Sequence, residues 1–163
     1  MELYLIRHGI AAEASEDAND EERSLTREGH KKTAKVAKRL DEIGLRFDLI
    51  LTSPLVRARQ TAEILVAAGL CPHLEESSCL APAGDIKTWL SWLEAWQLGG
   101  GMKLALVGHQ PNLGNWAEIL VWDATQEALI LKKAGMIGLT LPSARSPVGH
   151  SQMFLLTSPK WLL

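Results

Sequence analysis

The stretch LYLIRHG, residues 3–9, begins as an apolar run and ends in an arginine, a histidine and a glycine. An uninterrupted apolar run of this length is typical of a strand that is buried on both faces of a sheet. Charged and titratable side chains are costly to bury without partners. Arg7 and His8 therefore either cap this strand in solvent or form the floor of a site.

The same kind of apolar run recurs along the chain and predicts four more strands. These strands are residues 49–52, 104–107, 136–141 and 153–157. Segments with the apolar period of a helix lie between them. The first predicted helix begins at Thr26 and ends at Gly44. The second has Ser53 as its N-cap and Pro54 at its first position, and it ends at Gly69.

A third predicted helix begins near Asp85, and a fourth begins near Asn112. The third carries a stripe with helical spacing, which favours a face packed on the core over a ligand-stacking surface: Ile86, Trp89, Leu90, Leu93 and Trp96. Strands that alternate with helices predict an α/β fold. We expect a three-layer sandwich, with a mostly parallel sheet and helices on both faces, as a single domain over residues 1–163.

Composition narrows the class of partner. Apolar residues make up 47% of the 163 residues, charged residues 22%, and the net charge is −2. No long basic run occurs, which argues against nucleic acid or an anionic membrane as the partner.

The two cysteines, Cys71 and Cys79, form no zinc or disulfide pattern. No leader pattern and no spanning apolar run is present, so we expect a cytoplasmic protein, and we expect a monomer.

Two segments have the composition of loops. The acidic segment at residues 12–24 lacks periodicity and predicts a solvated loop close to the opening motif. The segment LGGGM at residues 98–102 precedes a strand, whereas a phosphate-binding loop joins a strand to a following helix. We interpret it as a flexible turn.

Polar residues follow three of the predicted strands. Arg7, His8 and Gly9 follow the first, Ser53 and then Arg57 follow the second, and Gly108 and His109 follow the strand at residues 104–107. The carboxyl ends of parallel strands meet at one edge of a sheet, where α/β proteins bind ligands. We therefore expect two arginines and two histidines to converge there.

Such a group suits phosphoryl transfer. Arginine offers paired donors that match phosphate oxygens. A neutral imidazole is a competent nucleophile toward phosphorus, and a second, protonated imidazole can stabilise the transferring group. Gly9 would leave room for the backbone beside the nucleophile. Each of these residues alone has an ordinary structural explanation, but the three motifs together form a specific set.

At these residues the chain resembles the histidine phosphatase superfamily, also called the phosphoglycerate mutase-like superfamily. The resemblance runs over essentially the whole chain and is greatest to the small bacterial phosphohistidine phosphatases of the SixA type. The segments that carry it are LIRHG at 5–9, LTREG at 25–29, SPLVRARQTAE at 53–63, APAGD at 81–85 and LVGHQP at 106–111.

The resemblance implies a fold of the phosphoglycerate mutase type and a role for each matched residue. His8 would be the nucleophile that becomes phosphorylated. Arg7, Arg57 and His109 would form the phosphate pocket, with Gly9 beside it. We expect no cofactor and no metal, because two arginines and a protonated histidine would already supply the positive charge that a metal ion provides elsewhere.

One departure from the superfamily concerns the general acid. Metabolic members carry a glutamate after the second helix, where this chain reads EESSCLAPAGD at residues 75–85. Asp85 is the nearest later carboxylate, and it also suits the N-cap of the third helix. An alkoxide leaving group needs a proton from an acid, whereas the imidazole of phosphohistidine depends less on one.

The sequence therefore predicts a phosphoric monoester hydrolase-like enzyme that acts in signal transduction on protein phosphohistidine, such as that of a histidine phosphotransfer domain. The partner would be a phosphorylated protein or, alternatively, a small phosphorylated molecule handled by a phosphatase or mutase. A catalytically silent phosphate-binding module is a further alternative. A metal hydrolase is disfavoured because the two histidine motifs lack nearby acidic ligands.

Overall fold

The computed structural model describes residues 1–15 and 19–163. Six strands form one sheet in the order β3-β2-β4-β1-β5-β6. Strands β3, β2, β4 and β1 are parallel, β5 is antiparallel to β1, and β6 is antiparallel to β5. The bounds are β1 Glu2–Arg7, β2 Leu49–Thr52, β3 Leu74–Glu76, β4 Lys103–Gly108, β5 Met136–Thr140 and β6 Gln152–Thr157.

The sheet confirms the predicted α/β class, and the five predicted strands are all present. Strand β3 was not predicted. It has three residues, two of them glutamates exposed to solvent, so it lacks the apolar run that revealed the others. It pairs in parallel with β2 at the edge of the sheet.

Four helices cover the two faces of the sheet. Their bounds are α1 Arg27–Glu42, α2 Val56–Ala67, α3 Ile86–Leu98 and α4 Asn112–Trp122. Successive side chains of a strand point to opposite faces. Leu3 and Leu5 accordingly join a core with α3 and α4, whereas Tyr4 and Ile6 join a second core with α1 and α2.

The tryptophan stripe of α3 is part of the core. Trp89 is fully buried, and its ring centroid lies 5.3 Å from that of Trp116 on α4. Asp85 caps α3, because its carboxylate accepts hydrogen bonds from the backbone N–H groups of Lys87 and Thr88. Both interpretations made from the sequence are confirmed.

The predicted start of α2 was wrong. The helix begins at Val56, and Ser53 is not its N-cap. The Ser53 hydroxyl is buried, accepts a hydrogen bond from the Leu55 N–H at 3.2 Å and contacts His109. In contrast, Thr26 caps α1 as predicted, through a bond from the Gly29 N–H. None of the helices in the described ranges is long and apolar enough to cross a membrane.

Candidate active site

A cleft of about 530 Å³ opens at the carboxyl ends of β1, β2 and β4. The structure brings the four predicted residues together in its lining: Arg7, His8, Arg57 and His109. The histidine rings are 5.3 Å apart between centroids. The predicted convergence is therefore present.

His8 is held as a neutral imidazole with one nitrogen free. Its Nδ1 lies 2.7 Å from the Gly9 carbonyl, so Nδ1–H donates and Nε2 retains its lone pair. The side chain is 6% exposed. Burial, followed by the charges of His109, Arg57 and Arg7, lowers the pKa of His8 to about 3, although the Gly9 bond opposes the shift. The ring is thus available as a nucleophile at neutral pH.

His109 is oriented by Ser53, which the sequence had predicted as the N-cap of α2. Its Nε2 lies 2.8 Å from the Ser53 hydroxyl, which also accepts a hydrogen bond from the Leu55 N–H. The other ring nitrogen, Nδ1, is buried and has no hydrogen-bond partner in the described structure. Burial first, and then the charge of Arg57, lowers the pKa of His109 to about 4. The sequence predicted a protonated ring here, whereas this lowered pKa favours a neutral His109 at neutral pH.

The two arginines are fixed by backbone carbonyls from distant parts of the chain. The Nη1 atom of Arg7 donates to the Leu131 carbonyl at 3.0 Å, and that of Arg57 donates to the Asp20 carbonyl at 2.8 Å. The Nε atoms of both arginines are buried without a hydrogen-bond partner in the described structure. Each guanidinium is therefore held in place, and because each Nη group carries two N–H donors, some remain for an anion.

Gly9 contributes through its backbone and its lack of a side chain. A Cβ atom here would collide with the Thr33 hydroxyl on α1. The Gly9 N–H donates to the Thr61 hydroxyl at 3.0 Å, which in turn donates to the Arg57 carbonyl at 2.8 Å. Gly9 thus allows α1 to pack closely and links the end of β1 to α2.

The loop between β1 and α1 lies close to the opening motif, as predicted, but part of it also lines the cleft. Residues 16–18 of the acidic segment lie outside the described residues. Asp20, which begins a short 3₁₀ turn, lines the cleft and pairs with Arg57 at 3.3 Å and with Arg23 at 2.8 Å. This part of the loop is therefore a wall of the cleft. Acidic composition alone cannot distinguish a wall from a solvated loop.

No free general acid lies among the described residues that line the cleft. Asp85 is exposed at the start of α3, and the hydrogen bond from the Lys87 N–H chiefly lowers its pKa. This position argues against an acid role for Asp85. Asp20 is the carboxylate in the described lining. Although burial opposes the shift, the hydrogen bond from Arg23 and the charge of Arg57 lower the pKa of Asp20.

The remaining wall is the α4–β5 loop, residues 123–135, which sequence reasoning missed. Buried Glu118 accepts the N–H groups of Gln126 and Ala128, both at 3.1 Å, and Gln110 donates to the Leu129 carbonyl at 2.9 Å. The loop brings Lys133 to the cleft. No local pattern marks these contacts, because they join residues of α4 and its N-terminal end to a loop without periodicity.

The arrangement can bind a tetrahedral anion beside a nucleophilic nitrogen. Arg7 and Arg57 supply donors beside the His109 ring, and the N-terminus of α4 begins at the rim of the cleft with Asn112. In the described part of the chain, no three His, Cys, Asp or Glu side chains lie close enough to hold a metal ion.

Sequence comparison places this chain near one family. The model of the histidine phosphatase superfamily (branch 1) matches residues 3–79. An uncharacterized protein of Picosynechococcus sp. is 54% identical over 100% of this chain and 99% of its own length. The phosphohistidine phosphatase SixA of Escherichia coli is 30% identical over 70% of this chain and 70% of its own.

Structural comparison agrees. The solved structure of the protein histidine phosphatase SixA complexed with tungstate superposes with a TM-score of 0.87 and 26% identity, and the match covers both chains completely. The fold of the present chain is therefore of the phosphoglycerate mutase type predicted from its motifs.

Proposed function

Since the chain belongs to the histidine phosphatase superfamily, we propose that it removes phosphate from phosphohistidine in proteins through a covalent intermediate on His8. The similarity to proteins named phosphohistidine phosphatases supports this substrate class. The proposal rests above all on one observation. The cleft pairs a neutral imidazole nucleophile with a cationic pocket whose one described carboxylate is already bound to two arginines.

In the first step, the Nε2 lone pair of His8 attacks phosphorus. The P–N bond to the substrate imidazole breaks, and the leaving nitrogen keeps the electron pair. The imidazole departs as a neutral ring when its other, free nitrogen is protonated. Arg7 and Arg57 neutralise the phosphoryl oxygens, and a protonated His109 ring adds positive charge beside them. The substrate dianion also favours proton uptake by His109, since an opposite charge raises the pKa of a histidine.

In the second step, water attacks the phosphorus of phospho-His8. The bond from phosphorus to Nε2 breaks, Nε2 recovers its electron pair, and inorganic phosphate leaves. Throughout both steps the bond between Nδ1–H and the Gly9 carbonyl keeps the ring in the tautomer that the attack requires. No protein acid is needed when the leaving group is imidazole.

A substrate panel tests this proposal. We expect kcat/KM to be highest for a phosphohistidine-bearing phosphotransfer domain, lower for an aryl phosphate and lowest for a sugar phosphate. The order follows from the decreasing ability of the three leaving groups to depart without a proton from the enzyme. A sugar phosphate that matches the phosphohistidine protein would contradict it. If no substrate were turned over, the protein would instead be a catalytically silent phosphate-binding module.

A phosphatase or mutase of small phosphorylated metabolites is the second candidate, and the position of Asp20 in the cleft favours it. If Asp20 rotated away from Arg57, it could protonate an alkoxide. Asp20→Asn distinguishes the two functions. An acid role predicts a loss confined to alkyl phosphates, of about 10²–10⁴-fold. A role in holding Arg57 predicts a similar, smaller loss for every substrate, and we expect this second result.

A further inference from the structure

A basic groove of about 420 Å³ adjoins the candidate active site. Four lysines line it, and we name it the lysine groove: Lys32, Lys132, Lys133 and Lys160. Arg7 and Lys133 belong to the lining of both the groove and the catalytic cleft. The groove therefore continues the cleft along the protein surface.

The charge of this groove is not compensated by the residues that the structure describes around it. No acidic side chain is among the described residues of its lining, and none of the four lysines makes an ion pair in the described part of the chain. The chain as a whole carries a net charge of −2. Clustered like charges repel one another, and a cleft lined by one sign of charge attracts the opposite sign.

The lysines are presented by three separate parts of the fold. Lys32 lies on α1, and Lys160 lies in the turn Pro159–Trp161 that follows β6. Lys132 and Lys133 lie in the tight turn that precedes β5.

That last turn is bound directly to the catalytic strand. The Ala134 N–H is 3.1 Å from the carbonyls of both Arg7 and His8, and the Gly135 N–H donates to the Lys132 carbonyl at 2.7 Å. Ala134 has φ +59°, a left-handed conformation that costs free energy in a residue with a side chain. The lysine pair is therefore held at a fixed position beside the nucleophile.

We propose that the lysine groove docks an acidic segment of the phosphoprotein substrate while the phosphohistidine occupies the cleft. This inference rests on the proposed function and names the chemistry of the partner surface. The cleft already supplies the donors for one phosphoryl group, so the adjoining cations are left for other anions on the same partner. The half-buried Ile10 side chain in the lining adds apolar contact, which suits a polypeptide.

Two phosphohistidine peptides of equal length test the inference. One carries four glutamates on each side of the phosphohistidine, and the other carries glutamines at the same positions. For the wild-type protein we expect kcat/KM to be about tenfold higher with the glutamate peptide, and we expect the difference to shrink in 0.5 M salt. An aryl phosphate measures activity without docking.

The decisive variant is Lys132→Glu with Lys160→Glu, since both side chains are exposed and neither lines the cleft. It should lose the preference for glutamate while kcat/KM for the aryl phosphate stays within about twofold. The matched control is Lys35→Glu with Lys38→Glu on α1, which makes the same change of charge outside the groove and should keep the preference. Loss of preference in both variants, or in neither, would overturn the proposal.

Binding of the two peptides to His8→Ala separates this inference from the proposed function. Suppose that the wild-type protein hydrolyses neither peptide, but His8→Ala still binds the glutamate peptide more tightly through the groove lysines. The proposed function then fails and docking stands. If both peptides are hydrolysed with equal kcat/KM, docking fails and the proposed function stands.

Discussion

The floor of the cleft and its rim are built differently. The floor is formed by Arg7, His8, Arg57 and His109, which follow the ends of β1, β2 and β4. The rim is formed by Asp20, Arg23 and Lys133, which come from two loops. The positions of the floor residues follow from strand register, whereas those of the rim residues depend on contacts between distant parts of the chain.

Burial differs between the two regions as well, except that Arg7 and Arg23 are both half-buried. His8, Arg57 and His109 are 6%, 4% and 3% exposed, whereas Asp20 and Lys133 are exposed to solvent. Electrostatic interactions are stronger in a buried site than in water. We therefore expect substitutions in the floor to change the rate by orders of magnitude and substitutions in the rim to change it by small factors.

The largest effect should come from His8→Ala. Without the nucleophile there is no covalent path, so kcat/KM should fall by at least about 10⁴-fold. The fold should survive, because the side chain lies at the end of β1 beside the cleft and not in either apolar core. Turnover of an aryl phosphate and thermal unfolding measure the two effects.

An acid-labile phosphoryl label on His8 in the quenched wild-type enzyme would support the covalent path directly. Activity near the wild-type level in His8→Ala would show that another group attacks phosphorus.

The next effect compares two arginines of α2. Arg57→Ala removes a buried donor from the floor and should lower kcat by about 10²–10³-fold. Arg59 is half-buried, and among the described residues it pairs with Glu63 and Glu76 on the surface, so Arg59→Ala should stay within about threefold. Steady-state kinetics with one substrate distinguishes them. Equal losses would place the anion elsewhere than at Arg57.

The pKa values of the two histidines in the floor predict the pH dependence of activity. With pKa values of about 3 for His8 and about 4 for His109, both rings are neutral in the free enzyme well below pH 6.5. Protonation of His8 removes the nucleophile as the pH falls. The acid limb of kcat/KM, corrected for ionisation of the substrate, should therefore lie near or below pH 4.

The same pKa shifts predict a stability effect with a defined sign. Because the folded pKa of each ring is lower than its unfolded value near 6.5, the unfolded state binds more protons between about pH 6.5 and 4. Stability should fall as the pH falls through this window.

For the activity profile, an acid limb of kcat/KM near pH 6.5 would show that the floor is more hydrated than the structure indicates.

The sequence predicted the floor because its signals are local. An apolar run followed by R-H-G, S-P-x-x-R or G-H-x-P locates a strand end, and the geometry of a parallel sheet then brings the ends together. The same local reasoning failed at Ser53. A serine before proline is a good N-cap, but His109, 56 residues away, lies within hydrogen-bond distance of its hydroxyl.

The rim could not be predicted because its contacts span long separations. Asp20 meets Arg57 across 37 residues, and the carbonyl of Leu131 meets Arg7 across 124. Neither loop has periodicity, and a charge in a loop is usually solvated. Only the tertiary structure shows that these particular charges face the cleft.

A smaller effect on activity than that of the floor residues should come from Glu118, which holds the α4–β5 loop on the side away from the cleft. Its side chain is fully buried, and one carboxylate oxygen accepts the N–H groups of Gln126 and Ala128. Glu118→Ala leaves both amides without this acceptor, so unfolding should require about 1–3 kcal/mol less free energy. The loop also carries the Leu131 carbonyl that holds Arg7, so kcat/KM should fall a few fold.

Glu118→Gln is the matched control, because its amide oxygen can still accept both N–H groups. Urea unfolding and aryl phosphate turnover should show a smaller change for the glutamine variant than for the alanine variant in both quantities. If Glu118→Ala were as stable and as active as the wild type, the bonds of the loop to Gln110 and to the end of β1 would suffice to hold it. The rim would then be anchored from the cleft side alone, and its position would depend on the floor.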